Sequence, residues 1–235
     1  MRIKTVMFDL DGTLLPMDQD QFTQYYFGLL AKKLAPHGYN AEQLISGIWA
    51  GTAAMVKNDG SCTNEEAFWK TFCAVMGERV LEDKPLFEEF YRVEFQGARA
   101  SCGYAPQAAG LVARLKAAGY RVILATNPIF PAVATESRIR WAGLAPEDFE
   151  LYTTYEYACR CKPNPDYYRD ILSSMALEAS ECLMVGNDVV EDMIAGILGM
   201  KVFLLTDCLI NSSGGDISVY PNGSFPELLH YIRSL

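Results

Sequence analysis

An uninterrupted apolar run, Val6-Met7-Phe8, leads into a carboxylate at Asp9, and a second carboxylate follows at Asp11. Apolar positions without alternation predict a strand buried on both faces, as in a parallel sheet. That strand is expected over residues 2–9, and Gly12 can end it because glycine tolerates backbone angles that other residues avoid. The pattern then changes. From about Asp18 to about Arg99 the apolar positions fall at helical spacing instead. Residues 21–34 carry Phe22, Tyr25, Tyr26, Leu29, Leu30 and Leu34, and residues 41–56 carry Leu44, Ile45, Ile48 and Trp49. A third helix is expected over 64–76, with Asn64 as its cap and Glu65 and Glu66 favouring its amino end. A fourth is expected over 86–95, and breakers lie at 36–38, 58–61 and 77–85. The aromatic residues of this segment, including Phe68, Trp69 and Phe72, read mainly as the core of an all-helical insert.

From Tyr104 onward helix and strand alternate. Helices are expected over 106–118, 131–141, 165–175 and 191–198. Strands are expected over 121–125, 149–152, 182–185 and 201–205. A glycine turn at Gly214-Gly215, a strand over 217–220 and a helix over 225–232 complete the chain. This alternation predicts an α/β fold with a doubly wound parallel sheet. Residues 1–17 and 100–235 form its core, and residues 18–99 form a helical cap.

Hydrophobic residues make up 50% of the chain, enough for a sizeable core. The formal net charge of −9 argues against nucleic acid as the main partner. An anionic substrate would need local positive groups, such as a metal ion, a Lys or helix amino termini. No leader segment and no bilayer-spanning window is apparent, so a cytoplasmic protein with no membrane partner is expected. The seven Cys are scattered and odd in number, which fits reduced thiols. Cys159 and Cys161 have no second pair or His nearby and read as ordinary thiols. His37 and His230 are expected at the surface.

In a parallel sheet the carboxyl ends of the strands share one rim. The first strand brings Asp9 and Asp11 there, and the second brings Thr126 and Asn127. The loop after the third carries Lys162, and the fourth ends in Asn187 and Asp188, with Glu191 and Asp192 following. These pieces suit phosphoryl transfer. Asp9 can attack phosphorus, splitting the reaction into two steps. Asp11 can protonate the leaving oxygen and then activate water. Thr126 can bind phosphoryl oxygens while it and Asn127 also cap the next helix. Lys162 can neutralise both Asp9 and the phosphoryl group. Magnesium (Mg2+) prefers oxygen ligands and needs only a few carboxylates, here including Asp9 and Asp11.

These motifs resemble those of the haloacid dehalogenase-like (HAD) hydrolases, most of which are phosphatases. The family's first motif, Asp-x-Asp-x-Thr after an apolar strand, matches Asp9, Asp11 and Thr13. Its second, an apolar strand ending in Thr or Ser, matches Thr126. Its third, a Lys usually followed by Pro, matches Lys162-Pro163. Its fourth, an apolar strand followed by Gly and clustered acids, matches Gly186 to Asp192. A helical insert between the first two motifs matches one class of cap domain in the family, with Gly12 and Thr13 leading into it.

The fourth motif departs from the common form, which has Asp directly after Gly. Asn187 stands there and Asp188 comes next. The resemblance implies a metal held by Asp9, by Asp11 through its backbone carbonyl, and by either Asp188 or the Asn187 amide oxygen, with Asp188 favoured. Asp192 would orient the loop or Lys162 from behind. The expected activity is magnesium-dependent hydrolysis of a small phosphorylated metabolite through an aspartyl-phosphate, by a monomer or weak homodimer. A sugar phosphomutase and a non-catalytic phospho-ligand-binding protein are the alternatives. Asp11 argues against a dehalogenase, which needs no leaving-group acid.

Overall fold

A computed structural model describes residues 2–235. Strands β1 (Thr5–Phe8), β2 (Arg121–Leu124), β3 (Leu151–Tyr152), β4 (Cys182–Gly186), β5 (Lys201–Leu205) and β6 (Asn222–Gly223) form one parallel sheet in the order β3-β2-β1-β4-β5-β6. The central place of β1 accounts for its unbroken apolar run, because helices cover both of its faces. Val6 and Phe8 join a cluster with Leu124, Val185, Leu111 and Leu228. Met7 points the other way, to Ile123, Met184, Tyr168 and Ile171. Register sets the rim. Phe8 lies opposite Leu124 on one side and Val185 on the other. The Asp9 amide donates to the Val185 carbonyl at 2.9 Å, and the Ala125 amide to the Phe8 carbonyl at 2.7 Å. The residues after β1, β2 and β4 therefore leave the sheet at one level.

The core helices are α6 (Pro106–Ala117), α7 (Ala132–Trp141), α8 (Pro165–Ser174) and α9 (Phe225–Ser234). The cap is built from α1 (Gln19–Leu34), α2 (Ala41–Val56), α3 (Asn64–Met76), the short α4 (Arg79–Glu82) and α5 (Lys84–Arg92), followed by a 3-10 segment at Glu94–Ser101. Its two connections to the core run side by side: Met17 pairs antiparallel with Cys102, and the Gly103 amide donates to the Pro16 carbonyl at 2.7 Å. Aromatic packing ties the cap to the core, with the Phe95 and Trp141 rings stacked at 5.1 Å. Among the described residues no helix is long and apolar enough to cross a membrane.

Several elements differ from expectation. The first strand is shorter, Thr5–Phe8. The first cap helix begins at Gln19 because the Asp18 carboxylate accepts the Gln21 amide at 2.8 Å. Asn64 is not the cap of α3. Thr63 caps it in a reciprocal box with Glu66, and Asn64 is fully buried one residue inside. The 77–85 breaker contains α4, and the expected fourth helix runs earlier, as α5. Residues 191–198 form a 3-10 turn at Met193–Leu198 rather than an α-helix. Residues 217–220 are not a strand. The Asp216 carboxylate accepts the Ser218 amide and turns the chain, and Asn222–Gly223 pairs with the sheet instead.

Buried Asn64 joins cap and core. Its Nδ2 lies 3.1 Å from the Pro128 carbonyl and 3.3 Å from that of Arg160, while its Oδ1 accepts from Asn58 Nδ2 at 2.9 Å. Replacing it strands several buried partners. Asn64→Leu is expected to cost about 2–3 kcal/mol in urea unfolding, with tryptophan fluorescence as the readout.

Candidate active site

Asp9 stands at the end of β1, only 7% exposed. Lys162 meets it from the loop that opens α8. The Lys162 ammonium is 1% exposed and lies 2.8 Å from Asp9 Oδ1 and 2.6 Å from Asp192 Oδ1. Burial by itself would lower the Lys162 pKa, but the charges of Asp192 and Asp9 hold it well above its ordinary value. The second oxygen of Asp192 accepts the Asp188 amide at 2.9 Å, so Asp192 fixes Lys162 and the loop after β4 together. Gly186 makes that approach possible: a Cβ there would fall 2.1 Å from Asp192 Oδ2.

The turn after β1 explains Gly12, Thr13 and Asn187. Gly12 has φ +86, and a Cβ on it would sit 2.3 Å from Asn187 Nδ2. The Thr13 hydroxyl donates to Asn187 Oδ1 at 2.9 Å, and Asn187 Nδ2 donates to the Cys208 carbonyl at 2.7 Å. Asn187 thus locks the turn that presents Asp9 and Asp11. Asp188 lines the cavity between this rim and the cap, but its Oδ1 accepts the amides of Val190 and Glu191 at 2.7 and 2.9 Å.

Thr126 is buried at the end of β2, its carbonyl held by the hydroxyls of Thr153 (2.6 Å) and Tyr167 (2.9 Å). Asn127 Oδ1 accepts the Lys162 amide at 3.3 Å, and its Nδ2 sits 3.1 Å from both oxygens of Glu191. Neither residue caps the next helix, contrary to expectation. α7 starts at Ala132, whose amide is taken by Glu156 at 2.8 Å.

Two side chains at the site have no role in the motif reading: Arg138 is outside every motif, and Glu191 lies within the fourth without an assignment. Arg138, on α7, is 1% exposed and pairs with Asp11 Oδ2, with its guanidinium 4.5 Å from the Phe130 ring centre. A basic residue among the buried positions Ala134, Ile139 and Trp141 was the available signal. Glu191 is the other. Its carboxyl is pushed up to about 7, mainly by burial, with Lys162 opposing and Asp192 and Asp188 adding to the rise. Burial also raises the Asp9 and Asp11 carboxyls, against the pull of Lys162 on the first and of Arg138 and Lys162 on the second.

A cavity of about 250 Å³ separates this rim from the cap. The cap aromatics were expected to serve mainly as core, yet Phe22, Tyr26, Trp49, Phe68 and Trp69 all line it. Cys159 and Cys161 are free thiols and His37 and His230 are exposed, as expected. Among the described residues no three His, Cys, Asp or Glu side chains form a ready-made metal cluster. The donors nevertheless suit magnesium, which needs one or two carboxylates with phosphate and water oxygens. Asp11 Oδ1 is buried with no hydrogen-bond partner, and Asp9 shares its cavity.

The model of the haloacid dehalogenase-like hydrolases matches residues 3–198. The chain belongs to this family. It is 29% identical over 201 residues to the hexitol phosphatase A of Escherichia coli K12, covering 84% of this chain and 78% of that protein. Its fold resembles a HAD phosphatase from Thermococcus onnurineus, with TM-score 0.60 and 19% identity over 98% of each chain. It also resembles a HAD-hydrolase from Bacillus subtilis bound to magnesium, with TM-score 0.60 and 19% identity over 99% of this chain and 100% of that one.

A raised carboxyl pKa in the folded state means that folding favours the protonated form. The Glu191 contribution to stability is therefore greatest below its ordinary pKa of 4.5 and falls as pH rises towards about 7. Glu191→Gln is expected to flatten that part of the stability curve by roughly 3 kcal/mol, measured as urea unfolding of metal-free protein across this pH range.

Proposed function

We propose that the protein is a magnesium-dependent phosphatase acting on a small phosphomonoester. The observation that carries this reading is the Lys162 ammonium bridging Asp9 and Asp192, with Asp11 two residues beyond Asp9. Lys162 engages Asp9 Oδ1, and Oδ2, which the Thr13 hydroxyl approaches only at 3.4 Å, is the oxygen that attacks phosphorus. As the Asp9–phosphorus bond forms, the bond to the substrate ester oxygen breaks, and Asp11 donates a proton to that oxygen. Water then attacks phosphorus while Asp11 takes its proton. The bond to Asp9 breaks, releasing phosphate and restoring the carboxylate. Lys162 and the Thr126 hydroxyl hold the phosphoryl oxygens, and Asn127 ties the loops that carry them.

Asp9, the Asp11 backbone carbonyl and one side-chain oxygen of the β4 loop would hold magnesium, which would supply positive charge for the phosphoryl group. We favour Asp188 for that third ligand, with Asn187 kept as the buried tie to Thr13. Arg138 positions the Asp11 carboxylate and opposes the rise in its pKa. The likeness to a hexitol phosphatase and to HAD phosphatases supports the reaction class.

Asp9→Asn is expected to reduce hydrolysis of an aryl phosphate in magnesium by more than about 10³-fold, measured as phosphate release. Near-normal turnover would overturn the nucleophile assignment. Arg138→Met removes the charge that holds the Asp11 pKa down. The alkaline limb of the kcat/KM profile, set by the protonated Asp11 acid, is expected to move to higher pH while the rate falls by about 10²-fold.

A further inference from the structure

We propose that the alcohol portion of the substrate is a single, uncharged aromatic ring on a methylene phosphate, seated among the aromatic side chains of the cap. This rests on the phosphatase reading above and adds the chemical class of the leaving group. The cap wall of the cavity is formed largely by rings, with Phe22, Phe27, Trp49, Phe68, Trp69 and Phe87 among them. Flat rings recognise another ring through offset or edge-to-face contacts, beyond the area they bury.

Three observations count against the other common classes of leaving group. A polyol would bury several hydroxyls, each costing about 1–3 kcal/mol without a partner. The cap offers little to meet them. Gln19, Thr23, Thr52 and Tyr155 line the cavity, and the Tyr26 and Tyr91 hydroxyls bond each other at 2.9 Å. Among the described residues a second anionic group would find no Lys, Arg or His lining the cavity, and it would face Asp9, Asp11, Asp188 and Glu191 on its floor. A cationic head would compete with cations that already stand over two of these rings, so phosphocholine is the control that separates ring stacking from cation binding. Lys84 Nζ lies 5.2 Å from the Trp69 ring centre, and Arg138 lies over Phe130.

Size and polarity agree with one ring. A dry cavity of roughly 150 Å³ suffices for benzene, and this cavity of about 250 Å³ must also admit the phosphoryl group at its floor. The Trp69 indole N–H is buried and makes no hydrogen bond of ordinary geometry, although it faces the Tyr155 hydroxyl. Trp49 is 52% exposed at the same cavity, its ring 5.5 Å from that of Phe27, so a bound ring would cover apolar area now in water.

The test compares alkyl phosphomonoesters with similarly basic alcohols, so that leaving-group reactivity does not decide the outcome. Phosphate release by the magnesium-loaded enzyme is measured for benzyl phosphate, glycerol phosphate, a hexitol phosphate and phosphocholine. Benzyl phosphate is expected to lead in kcat/KM by at least about tenfold, mainly through KM. Trp49→Ala is expected to raise its KM at least about fivefold while moving that of glycerol phosphate less than about twofold. Binding to Asp9→Asn, followed by tryptophan fluorescence, is expected to show the same order. Turnover with no preference for the ring, or with phosphocholine or a polyol leading, overturns the ring assignment and leaves the phosphatase reading standing. No turnover of any ester, with benzyl phosphate still binding tightest, overturns the phosphatase reading and leaves the ring assignment standing. Equal binding without turnover overturns both.

Discussion

A buried ammonium must be surrounded by negative charge, and this constraint organises the rim of the sheet. Lys162 is shielded from water and meets Asp9 and Asp192 at hydrogen-bonding distance. Removing one member of such a group leaves an uncompensated buried charge, at a cost of about 3–5 kcal/mol. The remaining geometry serves this contact. Gly186 lets Asp192 come close, and Asp192 in turn holds the Asp188 amide. Asn127 receives the Lys162 amide and reaches across to Glu191. The same contacts that keep the lysine charged fix the loops around the proposed phosphoryl site.

A second buried pair, Arg138 with Asp11, stands beside the first and connects chemistry to the cap. Arg138 lies against Phe130, whose ring also meets Phe22, Tyr26 and Phe95 of the cap. The guanidinium touches the proposed proton donor on one side and the aromatic wall on the other. Cap packing and the proton position are thus linked through one side chain. Asn64 anchors the other side of the cap, through the loops that carry Pro128 and Arg160.

Much of the core was legible because its signals are local. Continuous apolar runs marked β1, β2, β4 and β5, and helical periodicity marked α2 and α3 to the residue. The errors fell where one polar contact overrides periodicity. Thr63 displaced Asn64 as a cap, and Asp216 turned a presumed strand into a 3-10 turn. The short β6 has no apolar pattern to read. Its pairing is decided by the Pro221 carbonyl accepting the Leu204 amide and that of Gly223 accepting the Thr206 amide.

The sequence by itself determined the family, the parallel sheet and the residues at the strand ends, because strand-end chemistry follows directly on apolar runs. It could not assign Arg138 or Glu191, whose roles depend on contacts with Asp11 and Asn127 far away in the chain. Nor could it show that the cap rings face a cavity, since helical periodicity marks a buried face without saying what that face meets. Only the tertiary structure placed Asn187 between Thr13 and Cys208, turned one Asp188 oxygen to its own loop, and set an aromatic wall above an acidic floor. Burial and distance set the charge of these groups and the shape of the cavity, and both are properties of the folded chain.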